Sequence, residues 1–181
     1  MACRVRHIYE WLELKMLLAD EAIKQAVRNG RIIIEPYSEL LVQPASYELR
    51  LGNSIVYWDE RGHSQAKNID QYVILPDKFV LFTTIERVQL PYDIAARVEG
   101  KSSLGRRGLL VHCTAGWIDN GFKGEITLEF KNLGPEPITV QAGKRIAQLC
   151  FYQTTGAVAP YGSVGLGSQY QNQSGATLAK S

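Results

Sequence analysis

Lys101-Ser102-Ser103-Leu104-Gly105-Arg106-Arg107 gathers two hydroxyls, a flexible glycine and three cations into one short stretch. Hydroxyls, backbone N–H groups and fixed cations are what a polyphosphate requires. Downstream, two apolar runs each carry one acid. Asp119 stands in Gly116-Trp117-Ile118-Asp119-Asn120-Gly121, and Glu129 in Ile126-Thr127-Leu128-Glu129-Phe130. An acid within an apolar strand is costly unless it is paired or does chemistry. Cluster and acids together point to an enzyme acting on a charged, phosphorylated small molecule.

Each feature taken singly also has a plainer explanation. The 100–106 segment lacks the Gly-x4-Gly-Lys-[Ser/Thr] spacing of a Walker A loop, so a solvated basic turn competes with an anion site. An Asp-Asn-Gly turn explains Asn120 and Gly121 fully and Asp119 in part. Period-2 alternation puts Ile126, Leu128 and Phe130 on one face and Thr127 and Glu129 on the other, as on any two-faced strand. Zinc is not expected. The His-x-Glu and Pro-Cys-x-x-Cys signature of zinc deaminases is absent, and His7, His63 and His112 are scattered. His112 and Cys113 read as neighbours on a strand, pointing to opposite faces.

The elements that must position these residues read as mainly β. A short helix over about 20–29 starts at Asp20, the expected N-cap, and ends at Gly30. A strand at 31–35 stops at Pro36. Further strands are expected at 46–51, 54–58, 72–75, 79–86, 94–99, 109–113, 125–131, 137–140 and 145–152, with breaks such as Gly52-Asn53 and Pro76-Asp77 between them. Such spacing argues for an antiparallel sandwich or distorted barrel. Residues 1–15 form an N-terminal extension: Ile8, Trp11, Leu12 and Met16 have helical spacing, or the segment is a tail of little consequence. Residues 16–161 make the β domain. Residues 162–181 are rich in Gly, Ser and Gln, and read either as a disordered terminus or, given Tyr161, Tyr170 and Gln173, as a flexible lid.

The chain has 181 residues and a net charge of +2, so no general electrostatic case exists for nucleic acid or anionic membrane. No apolar run approaches the roughly 20 residues needed to span a bilayer, and no secretory signal is evident. Three widely spaced cysteines, Cys3, Cys113 and Cys150, fit a reducing cytoplasm.

In order along the chain, five segments resemble the motifs of the dCTP deaminase family, within the trimeric dUTPase superfamily. These are Gln43–Gly52, Gly100–Arg106, Thr114–Asp119 with Gly121 and Gly124, Thr127–Phe130, and Gly143–Leu149 followed by Tyr161–Gln173. The resemblance covers about Met16 to Gly175. It implies a distorted β-barrel, jelly-roll-like dUTPase-type fold. It implies hydrolytic deamination of dCTP, with Glu129 as the general base that activates water for attack at C4. Ser102, Arg106 and the Ala115 backbone would position the water and stabilise the intermediate. Lys101, Ser102, Ser103, Gln148, Tyr161 and Gln173 would hold the triphosphate, with Mg²⁺ on its oxygens. Leu104, Gly105, Thr127, Leu128 and Gln169 complete the implied substrate set. Asp119 would accept a hydrogen bond from the deoxyribose 3′-OH.

Further implications are a homotrimer with shared active sites and dTTP as a feedback inhibitor. A monofunctional dUTPase is the alternative activity. Gly116-Trp117, where deaminase-only members can carry His-Arg, implies that the reaction continues to dUMP and pyrophosphate. Two positions depart from the family pattern. Glu48 stands where Asp is usual, and Gln169 stands where Lys precedes the tail Tyr, removing one cation near the phosphates.

Overall fold

The computed structural model describes residues 17–180. The expected 1–15 extension and its helical spacing lie outside the described residues. Helix α1 spans Asp20–Arg28 and buries Ile23 and Ala26. Its N-cap is Ala19, one residue earlier than expected. Asp20 is instead the first helical residue, and its carboxylate accepts the Glu21 N–H at 2.8 Å. Acids in the first turn favour the positive end of the helix.

Nearly everything else is strand. The elements are β1 (Ile33–Glu35), β2 (Val42–Gln43), β3 (Ser46–Trp58), β4 (Ser64–Asn68), β5 (Gln71–Ile74), β6 (Phe79–Gln89) and β7 (Ile94–Gly100). After β7 comes a single helical turn, α2 (Ser102–Gly105). Then follow β8 (Leu109–Leu110), β9 (Trp117–Ile118), β10 (Lys123–Asn132), β11 (Ile138–Gln141) and β12 (Arg145–Gln153). All pairings are antiparallel. The main path runs β8-β10-β6-β3-β12-β7-β9, with β1 on β6 and with β2 and β4 on β3, while β11 and β5 form a separate pair. This is the mainly β, curled architecture that the strand spacing predicts.

The long strand β3 overrides an expected break. Gly52-Asn53 is a register shift within one strand, because β3 passes from its pairing with β12 to its pairing with β4 and β6. A Cβ on Gly52 would lie 2.5 Å from Thr83 Cγ2, so glycine is what lets the two strands approach. Elsewhere the expected strand at 109–113 stops after Leu110. His112 and Cys113 therefore belong to a loop rather than to opposite faces of a strand.

Strand β10 alternates strictly. Gly124, Ile126, Leu128, Phe130 and Asn132 are buried, while Lys123, Glu125, Thr127, Glu129 and Lys131 face outward. Phe130 packs on Phe82 with ring centroids 4.7 Å apart. Each such apolar side chain stabilises the fold by about 1.5–3 kcal/mol. A register shift between Glu125 and Thr127 is stitched by Thr84, whose hydroxyl accepts the Ile126 N–H at 3.0 Å. The inward face of β10 thus fixes the strand, and the outward face presents its two acids, Glu125 and Glu129.

Candidate active site

The residues singled out in the sequence fall into two groups. The first gathers where β3, β12 and β7 lie side by side. Gln148 pairs with Glu48 on one side and with Glu99 on the other, and Ala147 pairs with Gly100. Three distant motifs meet there. Ser46 Oγ donates to Gln148 Oε1 at 2.9 Å, and Gln148 Nε2 donates to the Gly100 carbonyl at 3.2 Å. Glu48 is buried and takes two cations, Lys101 through Oε1 and Arg145 Nη1 through Oε2 at 2.7 Å. Burial pushes the Glu48 carboxyl up, but its bonds to Lys101 and Arg145 outweigh this and hold it below the ordinary value. The longer acid at position 48 is therefore the hub that fixes Lys101 at the edge of α2.

Ser102, Ser103 and Gly105 are exposed on α2, as is Arg106 at its C-terminal end, and Leu104 packs against the core. The Arg106 guanidinium makes no hydrogen bond or ion pair among the described residues. The cluster presents hydroxyls and a cation outward, as an anion site needs.

The second group lines a cavity of about 470 Å³. Ala115, Trp117, Asp119, Thr127, Glu129, Tyr161 and Gln173 all reach it. Lys101, Ser102, Ser103, Leu104, Gly105, Arg106 and Gln148 do not. Within one chain the polyphosphate-type cluster therefore lies outside the cavity that Asp119 and Glu129 line. Leu128 points into the core between Thr127 and Glu129 and does not line the cavity.

Glu129 Oε2 accepts the Cys113 N–H at 3.0 Å, and Oε1 takes no hydrogen bond among the described residues. Asp119 Oδ1 accepts from Trp117 Nε1 at 3.1 Å, and the Asp119 carbonyl closes the turn by accepting the Phe122 N–H. Turn and acid are thus both present at Asp119. Gly116 is buried against the His112 ring, and a Cβ there would lie 2.9 Å from His112 Cε1. The space left by Gly116 is occupied by the imidazole and is not open to water. His112 Nδ1 is itself buried, with no hydrogen-bond partner among the described residues.

Residues 171–177 run along the outward face of β10. Glu125 N–H donates to the Gln173 carbonyl at 3.1 Å, and Asn172 N–H donates to the Lys123 carbonyl at 2.7 Å. Gln171 Nε2 reaches the Gly121 carbonyl at 2.9 Å, and Thr177 N–H reaches Thr127 Oγ1 at 3.2 Å. Tyr161 packs on Phe122, and its hydroxyl accepts the Tyr170 N–H at 3.0 Å. Gln169 is exposed and outside the cavity lining. Positive charge is nevertheless present beside it. Lys180 Nζ donates to the Gln169 carbonyl at 2.7 Å and lies 5.6 Å from the Tyr170 ring centre.

Sequence reasoning missed several contributors. Trp58, Phe79 and Leu178 join the cavity wall, and Glu125, Gln171 and Ser54 anchor the tail. The only signal for Glu125 was its place on the outward face with Thr127 and Glu129.

The family model described as "dCTP deaminase-like" matches residues 17–154. A protein of Mycolicibacterium vanbaalenii named "dCTP deaminase, dUMP-forming" is 42% identical, over 92% of this chain and 96% of its own length. One of Thermobifida fusca with the same name is 41% identical, over 92% and 93%. Among solved structures, a 2′-deoxycytidine 5′-triphosphate deaminase from Agrobacterium tumefaciens superposes with a TM-score of 0.62 at 25% identity. That match covers 76% of this chain and 48% of the other, so the chain spans about half the length of the Agrobacterium protein. On the family model and on relatives more than 40% identical along nearly the whole length, the chain belongs to the dCTP deaminase-like family.

Proposed function

We propose that this chain hydrolyses dCTP to dUTP and ammonia, and then hydrolyses dUTP to dUMP and pyrophosphate. The observation that carries the reading is Glu129, an acid at the wall of a cavity with one carboxylate oxygen held by Cys113 and the other without a hydrogen bond among the described residues. That geometry suits a general base. The free oxygen takes one proton from water as it attacks C4 of cytosine and passes it to N3, then carries the proton of the new C4 hydroxyl to the amino group, so that the C4–N bond breaks, ammonia leaves and C4=O forms. The names of the relatives favour this over a monofunctional dUTPase. Hydrolysis at phosphorus has use for Asp119 but none for a carboxylate at C4.

Ser102, Arg106 and the Ala115 backbone stabilise the tetrahedral intermediate in this reading. Lys101, Ser102, Ser103, Gln148, Tyr161 and Gln173 hold the triphosphate, and Asp119 accepts from the 3′-OH. Among the described residues no group of three or more His, Cys, Asp or Glu gathers around a common point. The donors for a Mg²⁺ ion would then be the phosphate oxygens and water, which suit a hard cation. When bound, that ion would neutralise charge on the triphosphate.

The separation of the basic cluster from the acid-lined cavity supports a homotrimer in which α2 of one copy completes the Glu129 cavity of another. dTTP, sharing the triphosphate and deoxyribose of the substrate, fits the same site as an inhibitor. No helix among the described residues is long and apolar enough to cross a membrane. The free thiols of Cys113 and Cys150 suit a reducing cytoplasm.

Product analysis from dCTP tests the reading. Ammonia, dUMP and pyrophosphate are expected in equal amounts. Stoichiometric dUTP that persists would leave a deaminase alone, and no ammonia would remove the deaminase. Mixing inactive Glu129→Gln and Arg106→Ala chains should restore turnover if the halves come from different copies. No recovery after subunit exchange would return both halves to one chain.

A further inference from the structure

Glu125 has no role in the chemistry proposed above, yet the tail converges on it. Its carboxylate accepts the Gly175 N–H through Oε2 at 2.6 Å and the Ser174 hydroxyl through Oε1 at 3.0 Å. Its carbonyl accepts Gln173 Nε2 at 2.8 Å, and its N–H donates to the Gln173 carbonyl at 3.1 Å. From the body, Thr83 Oγ1 donates to Oε2 at 3.3 Å. Among the described residues no Lys, Arg or His forms an ion pair with Glu125. Its charge is met by N–H and O–H donors, mostly from the tail.

We infer that Glu125 is a latch: a positioning residue whose carboxylate pre-forms the tail over β10 before nucleotide arrives. The inference rests on the dCTP reading for its kinetic consequence, but the latch itself is a structural claim. Glu125 stands two residues before Thr127 and four before Glu129 on the same outward face. Holding Ser174 and Gly175 there sets Gln173 at the cavity wall, and sets the Thr177 N–H on Thr127 Oγ1. A charged acceptor makes shorter and stronger bonds than a neutral one, as the Gly175 contact illustrates. The tail buries no side chain fully, so hydrogen bonds rather than apolar packing fix it, and of these the Glu125 carboxylate is the one charged acceptor for Ser174 and Gly175 among the described residues.

Pre-forming the tail changes binding more than the chemical step. If only a fraction of molecules hold the tail closed, the apparent dissociation constant rises by the inverse of that fraction. Once nucleotide is bound and the tail is closed, turnover proceeds as before.

The test uses the full chain with Glu125→Ala, Glu125→Gln and Ser174→Ala. Hydrogen exchange should quicken at least about tenfold at Gly175, Ala176 and Thr177 in Glu125→Ala, with the amides of β6 and β10 unchanged. KM for dCTP should rise about tenfold with kcat altered less than about threefold. Glu125→Gln keeps one acceptor for the Gly175 N–H and should recover part of both effects. Glu125→Ala with Ser174→Ala should cost less than the sum of the two, since both cut the same bond.

Unchanged tail exchange would overturn the latch. So would faster exchange throughout β10, which would make Glu125 a strand-stabilising residue. Faster tail exchange with KM unmoved would overturn its positioning role. If the wild type fails to turn over dCTP at all, the proposed activity fails, and exchange of the tail amides still decides the latch.

Discussion

The carboxylate of Glu129 and the backbone N–H of Cys113 are joined at 3.0 Å, tying β10 to the loop that carries Ala115 and Gly116 and leads into Trp117 of β9. One oxygen of the acid is thereby fixed and the other is left to the cavity. The bond fixes the orientation of the carboxylate, which in the proposed reaction sets the direction from which it takes a proton, and it places the acid beside the Cys113 thiol.

Glu129→Gln should abolish ammonia release from dCTP while leaving nucleotide binding largely intact. The amide keeps the size and can still accept from Cys113, but it cannot take the proton of water. Losing a general base lowers the rate by about 10²–10⁴-fold. An ammonia-release assay alongside calorimetric binding checks this, and wild-type turnover in the variant would take Glu129 out of the mechanism.

The same replacement should speed alkylation of Cys113. Burial raises the Cys113 thiol above its ordinary value, the Glu129 charge raises it further, and Lys131 opposes this. Removing the Glu129 charge lowers the thiol toward its ordinary value and increases the thiolate fraction at any given pH below it. Iodoacetamide labelling followed by mass spectrometry, across a pH series, measures the shift. An unmoved profile would mean that the two groups do not interact in solution.

Gly116→Ala should disturb the second reaction more than the first. Its Cβ would lie 2.9 Å from the His112 ring, so the imidazole must move and the loop beside Trp117 and Asp119 with it. Overpacking of this kind costs about 1–3 kcal/mol. The dUMP formed per ammonia released should fall, and fall further when Gly116-Trp117 becomes His-Arg. A constant ratio in both variants would separate this dipeptide from the choice of product.

A chain ending at Tyr161 should remain folded with poor turnover. None of residues 162–180 is fully buried, so little apolar area is lost. A change of 1 kcal/mol moves the melting temperature of a chain this size by about 2–4 °C, and no larger shift is expected. The loss should appear in kcat/KM for dCTP, because Gln173 leaves the cavity wall. Full activity would make the tail a bystander.

Glu48→Gln should weaken the fold in a pH-dependent way. The folded Glu48 carboxyl titrates below its ordinary value of 4.5, so folding favours the ionised form. That contribution is complete above about pH 4.5 and drains away as pH falls through the folded value. At pH 7 the substitution should cost about 2 kcal/mol, less than the 3–5 of a fully buried pair because Arg145 stays hydrated. Urea midpoints of wild type and variant should converge at low pH. A difference independent of pH would mean that the charge of Glu48 contributes nothing.

By itself the sequence determined most of the long strands, the polar outward face of β10 and the separate motifs, but not the short strands β2, β4 and β9. Period-2 alternation states which residues of 125–131 face the core, and the Asp-Asn-Gly turn is spelled out locally at 119–121. Helix α1 was legible for the same reason, since its signals lie within a few residues of one another. The tertiary structure decided what sequence distance hides. Gly52 reads as a break until Thr83 is seen packed against it. Glu48 reads as a departure from a pattern until Lys101 and Arg145, 53 and 97 positions away, converge on it. Glu125 reads as one more exposed acid until the tail returns across β10 to meet it. In each case the deciding partner is supplied by strand pairing or chain return, which local spacing cannot encode. The same holds for the basic cluster and the acid-lined cavity, which the order of strands in the sheet places apart.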